Sequence, residues 1–128
     1  MLPFSLSGKV IHGQSLGHTF DSPTANITPV EDVSHLAFGV YFSVVYIDGR
    51  KYPAITNLGV RPTVSDDGSV NAETFIYGLD EDIYGKTISV TLLDFHRSEH
   101  TFGSVDELYD AVRADLREGA KYHGLEDY

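Results

Sequence analysis

The sequence predicts a mainly β domain, a small barrel or sandwich, followed by one amphipathic helix at the C-terminal end. Two observations carry this. Short runs rich in β-branched and aromatic residues recur with turn residues between them, and the apolar spacing changes once, after Phe102-Gly103, to intervals of three and four.

Taken in order, Lys9 to His12 reads as a short strand between Gly8 and Gly13. Residues 13 to 37 fit neither period, with two glycines and two prolines among small polar residues. So long an irregular stretch is usually functional or disordered. Phe38 to Ile47 (FGVYFSVVYI) is the clearest strand, and Asp48-Gly49 supplies a hairpin turn into a return strand over Tyr52 to Thr56. Ala72 to Tyr77 follows the turn-rich Ser65 to Ser69. Thr87 to Phe95 (TISVTLLDF) sets Ile88, Val90 and Leu92 on one face. Ser104 and Glu107 form a capping box before an apolar stripe of Val105, Leu108, Val112 and Leu116, which predicts a helix over about 104–123. Gly124 is its stop, Gly119 is expected to fray the last turn, and Asp110, Arg113, Arg117 and Lys121 make the polar face.

The 128 residues fit one domain, taken as 1–128. Without cysteine there are no disulfides, thiolate metal sites or cysteine nucleophile, and a reducing cytoplasm is the expected compartment. A net charge of −10 opposes binding to nucleic acid. The same field opposes a nucleotide, so a nucleotide site needs backbone N–H groups, a divalent cation or a few placed bases. The N-terminus has no basic region and no apolar run long enough to span a membrane, so no membrane role is expected.

Four features can carry chemistry, and each has a bland counterpart. In Pro23-Thr24-Ala25-Asn26 the side-chain oxygens of Thr24 and Asn26 fall on one side if the segment is extended, where they could hold a hard cation; the same residues are common in loops. Gly13-Gln-Ser-Leu-Gly17-His18 could offer backbone N–H groups to phosphates but is neither a P-loop nor a dinucleotide fingerprint. Asn57-Leu-Gly-Val-Arg61-Pro62-Thr63 carries one of the few basic residues, either toward a ligand or into solvent. Glu73, on a predicted strand, could take a proton from an attacking hydroxyl or be an exposed strand residue. The six histidines make no metal pair, since His96 and His100 lie across a strand end, and no nucleophile elbow is present.

The order of these signals is more specific than any one of them. Gly8-x-Val10, His12-Gly13, Gly17, Pro23-Thr24-Ala25-Asn26-Ile27, Gly39-Val40-Tyr41, Asn57-x-Gly59-x-Arg61-Pro62-Thr63, Glu73-Thr74, Asp82-x-Tyr84-Gly85 and Arg97-x-Glu99 succeed one another from about Ser7 to Tyr122. This succession resembles the riboflavin kinase family, including the kinase half of bacterial bifunctional riboflavin kinase/FAD synthetases. The resemblance implies a closed six-stranded Greek-key β-barrel with one C-terminal α-helix. It implies transfer of the ATP γ-phosphate to the riboflavin 5′-hydroxyl, giving FMN and ADP with Mg²⁺ or another divalent cation.

By the same resemblance Glu73 is the catalytic carboxylate, and Thr24 and Asn26 are the metal positions. The nucleotide-binding positions are Gly13, Gly17, His18, Thr24, Asn26, Asn57, Arg61 and Thr63. The Gly13–Ser22 loop covers the phosphates, the 62–68 loop is a second flap, and the helix lies near the isoalloxazine ring; Arg97 either serves structure or lines that site.

The chain departs from the family pattern before Pro23, where His18, Asp21 and Ser22 stand in place of an arginine, a glycine and an aromatic residue. Loss of a permanent positive charge and gain of a negative one should weaken ATP binding. The alternative reading is therefore a catalytically weak or inactive flavin- or nucleotide-binding regulatory module. The nucleotidyltransferase half seen in bifunctional members is missing, which leaves a stand-alone kinase or an excised domain.

Overall fold

A computed structural model describes residues 2–11, 24–60, 70–99 and 103–125. Six strands and one helix run in the order β1 (Phe4–Lys9), β2 (Thr24–Ile27), β3 (Gly39–Ile47), β4 (Arg50–Val60), β5 (Val70–Ile76), β6 (Thr87–Ser98) and α1 (Val105–His123). All six join one antiparallel sheet in the order β1-β6-β3-β4-β5-β2. Within it β3, β4 and β5 run as a meander and β6 returns beside β3, which is the Greek-key arrangement.

The sheet is strongly curled but is not the closed barrel the resemblance implied. Its edges, β1 and β2, share no ladder. Ser7 of β1 instead spends its backbone N–H and its hydroxyl on the Glu31 carboxylate, and its carbonyl accepts from Val30 N–H at 3.0 Å. The chain leaving β2 thus covers the edge that closure would have used. One bridge, Ile11 to Asn26, ties the edges together just beyond β1. Gly8 permits the approach, since a Cβ there would lie 2.9 Å from the Thr28 carbonyl oxygen.

Strand alternation divides the side chains between two cores. Inside the curl lie Leu6, Ile27, Val45, Leu58, Ile76, Ile88, Val90 and Leu92, with Ile88, Val90 and Leu92 together as their spacing predicted. A buried hydroxyl chain, Ser43–Thr56–Thr74, crosses three strands there with both O···O distances 2.9 Å, so each hydroxyl is satisfied. The outer face places Ile55, Phe75 and Tyr77 under Val112, Leu116 and Ala120 of α1.

The sheet is longer and differently bounded than the sequence suggested. The first strand is Phe4–Lys9 rather than Lys9 to His12, and the Thr24–Ile27 segment is a strand inside the stretch that had no period. The four residues of β2 are too few for alternation to register. Asp48 and Gly49 both adopt positive φ, 51° and 80°, as a two-residue hairpin turn requires. β6 runs on to Ser98 because register shifts against β3 insert Leu93 and His96 as extra residues. Such bulges bend a strand and re-aim the side chains beyond them; here Arg97 comes to pair with Val40.

The helix begins where its cap predicted: Glu107 N–H donates to Ser104 Oγ at 3.2 Å, while the Glu107 carboxylate accepts from Gly103 N–H. Gly124 ends it at φ 72°. Two expectations fail. Val105 is exposed and takes no part in the helix–sheet core. Gly119 does not fray the helix; it is buried where α1 comes nearest the sheet, and a Cβ there would fall on Ile55 Cγ2 and the Tyr77 hydroxyl. Among the described residues no helix is long and apolar enough to cross a membrane.

Candidate active site

Antiparallel partners on neighbouring strands project to the same face. One row across the outer face therefore reads Asn26 (β2), Glu73 (β5), Asn57 (β4), Val40 (β3) and Arg97 (β6). All five sit within the motifs of the ordered series, brought to one line by register alone. Thr24 shares the face, two residues from Asn26 and opposite Phe75.

Glu73 stands between Asn26 and Asn57 in this row. It lines a cleft of about 80 Å³ between sheet and helix, with Asn57 and Arg97 as polar neighbours and Phe75, Leu108 and Val112 as apolar walls. Its Oε2 is buried with no hydrogen-bond partner among the described residues. Desolvation disfavours the charged carboxylate and raises its pKa from 4.5 to about 7. Such a group exchanges a proton near neutrality, as a general base must. The exposed strand position that the bland reading required is not what the fold provides.

Arg97 does not reach for a ligand. Its Nε and Nη2 donate to the two carboxylate oxygens of Asp115 at 2.9 and 2.6 Å, a bidentate pair that fastens α1 to β6. Asp115 is buried, and its carboxylate is also 3.4 Å from His96 Nε2. His96 lies within β6, which ends at Ser98, and stands against the helix. The pair both serves structure and lines the cleft. Glu99, the second residue of the Arg97-x-Glu99 motif, lays its carboxylate over Gly59, where a Cβ would come within 2.6 Å of Glu99 Oε2.

Two contributors were not picked out from the sequence. Asp115 falls on the apolar side of α1, next to Leu116 and three residues after Val112, and an acid in such a stripe is itself a sign of a buried partner. Asn71 stands two residues before Glu73 on the same face of β5, and its Nδ2 donates to Asn26 Oδ1 at 3.0 Å. Gly13, Gly17, His18, Arg61 and Thr63, with the loops 13–22 and 62–68 and the substituted Asp21 and Ser22, lie outside the described residues.

The oxygens gathered in this row are of the type a hard divalent cation accepts. Asn26 supplies an amide oxygen beside the buried Glu73 carboxyl, and the described residues contain no group of three or more His, Cys, Asp or Glu able to cage a metal. Mg²⁺ takes few protein ligands and keeps waters and phosphates.

Comparison with known proteins identifies the family. The riboflavin kinase (flavokinase) family model matches residues 1–123. A bifunctional riboflavin kinase/FMN adenylyltransferase of Pseudomonas fluorescens is 37% identical over 114 residues, covering 89% of this chain and 36% of that protein. The Escherichia coli K12 protein of the same description is 36% identical over 126 residues, covering 96% of this chain and 39% of its own. The chain thus spans less than half the length of these relatives.

Among solved structures, a Streptococcus pneumoniae protein described as a macrolide-efflux protein superposes with a TM-score of 0.75 at 37% identity, over 90% of this chain and 38% of that one. Riboflavin kinase from Trypanosoma brucei superposes with a TM-score of 0.63 at 24% identity, over 95% of this chain and 80% of that one, a likeness of fold alone. With Asn26, Glu73, Asn57 and Arg97 in one row of a curled Greek-key sheet and a family match over nearly its whole length, the chain belongs to the riboflavin kinase family.

Proposed function

We propose that this domain is an ATP:riboflavin 5′-phosphotransferase in which Glu73 is the general base. The single observation that carries the reading is the Glu73 carboxyl between Asn26 and Asn57 in the row, with Oε2 buried and unpartnered among the described residues and a pKa raised to about 7. The 5′-hydroxyl oxygen of the ribityl chain forms a bond to the γ-phosphorus of ATP. The bond from that phosphorus to the β,γ-bridging oxygen breaks, and its electron pair leaves with ADP. The hydroxyl proton passes to the Glu73 carboxylate.

Thr24 and Asn26 are the proposed protein ligands of the cation, on the strand beside Glu73. When bound, a divalent cation neutralises charge on the transferring phosphates, which a chain of net charge −10 cannot do unaided. Asn57 flanks Glu73 on the other side and is placed to orient either the carboxyl or the hydroxyl it serves. The apolar walls from Phe75, Leu108 and Val112 favour a flat aromatic ring beside the polar row. Gly13, Gly17, His18, Arg61 and Thr63 complete the nucleotide site in this proposal. An adenylyltransferase partner domain, as the relatives' names describe, belongs to the same proposal for the whole protein.

The test is to incubate the protein with riboflavin, ATP and Mg²⁺ and to separate the flavins by chromatography, beside chelated and ATP-free controls. FMN formed only in the complete mixture is the expected result. Riboflavin binding, read as fluorescence quenching, without any FMN would replace the kinase by a binding module.

A further inference from the structure

β5 lays a second polar side chain on the site face. Asn71 is opposite Gly59 and diagonal to Asn26. Its Nδ2 donates to Asn26 Oδ1 at 3.0 Å, and its own Oδ1 is buried without a hydrogen-bond partner among the described residues, as is Glu73 Oε2. The strand opposite offers nothing in its place: Gly59 has no side chain, and the space a Cβ would fill is held by the Glu99 carboxylate, which cannot donate when ionised.

These contacts decide what Asn26 can present. A primary amide can turn either its oxygen or its NH₂ toward a neighbour, and an N–H donor selects the oxygen. That donor uses one of the two lone-pair sites on the Asn26 oxygen and leaves the other. The buried oxygens of Asn71 and Glu73, two residues apart on one strand face, remain acceptors without donors. A hydrated cation brings donors, because Mg²⁺ keeps several of its waters and these hydrogens point outward.

We propose that Asn71 is a positioning residue for the divalent cation: its N–H holds the Asn26 carboxamide with the oxygen free to ligate, and its Oδ1 accepts a hydrogen bond from a water on that cation. The proposal rests on the assignment of Asn26 as a cation ligand. Asn71 acts through Asn26 and through water, and does not touch the reacting atoms.

The experiment is a Mn²⁺ titration monitored by electron paramagnetic resonance, in the presence of ADP, on the parent chain, Asn71→Ala, Asn26→Ala and the double variant. Riboflavin affinity by fluorescence quenching and thermal unfolding accompany it. Asn71→Ala should weaken Mn²⁺ binding about fivefold to tenfold, leave riboflavin affinity within about twofold, and add little once Asn26 is already alanine. Asn71→Leu, close in volume and without polar atoms, should lose Mn²⁺ as Asn71→Ala does while keeping the melting temperature. If Asn26→Ala weakens Mn²⁺ and neither Asn71 variant does, the inference is overturned while the cation reading stands. If Asn26→Ala itself changes nothing, the cation reading fails and the inference with it. Asn71 and Asn26 effects that simply add would also overturn it, since no positioning links them.

Discussion

Asn26 on β2 and Glu73 on β5 are direct partners in the antiparallel ladder, so an amide oxygen and a buried carboxyl leave the sheet side by side. Each would be unremarked alone. Together they set the proposed cation position next to a group that exchanges protons near pH 7. The arrangement costs stability, since a carboxyl that ionises in the unfolded chain has Oε2 buried without a donor among the described residues in the folded one.

That cost has a pH window. Glu73 titrates near 4.5 in an ordinary environment and near 7 in the fold. Folding therefore takes up a proton between those values, and the penalty grows from pH 4.5 to 7 and is full above it. On the order of 3 kcal/mol is the ceiling from a shift of this size. Glu73→Gln should thus be more stable than the parent at pH 8, by about 1 to 3 kcal/mol, with the gap closing toward pH 4.5. Calorimetry at both pH values checks it; equal stabilities at pH 8 would mean the carboxyl is not buried uncompensated.

Thr24→Val keeps the shape of a strand residue and removes its hydroxyl. Expected is a loss of about tenfold or more in affinity for Mg·ATP, with riboflavin affinity little changed, both by titration calorimetry. Equal losses for the two ligands, with a lower melting temperature, would assign Thr24 to the fold.

The Arg97–Asp115 pair is part-buried, with 7% of the Asp115 side chain exposed. Arg97→Met strands that carboxylate and should cost about 3 kcal/mol in urea unfolding. Adding Asp115→Leu should recover most of the loss, because removing both charges also removes the desolvation penalty. A single variant within about 0.5 kcal/mol of the parent would show that the pair does not fasten the helix.

Glycine to alanine inside a helix usually stabilises by about 1 kcal/mol. At Gly119 the sign should reverse, because the added methyl meets Ile55 and a Tyr77 hydroxyl already donating to Leu116 O at 2.6 Å. A destabilisation of about 1 to 3 kcal/mol by thermal unfolding is expected. An increase in stability would place the helix farther from the sheet than it stands here.

Much of the fold was legible in the chain because it depends on local pattern. The alternation in β3, the Asp48-Gly49 turn, the Ser104 cap and the Leu108–Val112–Leu116 stripe each arise from neighbours a few residues apart. The seam between β1 and β2 was not legible, because it turns on where Val30 and Glu31 spend their hydrogen bonds, a non-local matter. Arg97 was ambiguous for the same reason, since its partner lies eighteen positions away on another element. For Glu73 the residue type and strand were readable, but the burial that raises its pKa, in a cleft it shares with Leu108 and Val112 of the helix, is supplied only by the fold.

The central claim, that Glu73 takes the hydroxyl proton, is tested most directly by the pH dependence of FMN formation in a single turnover for the parent and for Glu73→Gln. The parent rate should rise with pH through a midpoint near 7, where the carboxyl ionises. The variant should be slower by on the order of 10²-fold or more and flat across that range. A variant that turns over at the parent rate, or keeps the same rise with pH, would contradict the role assigned to Glu73.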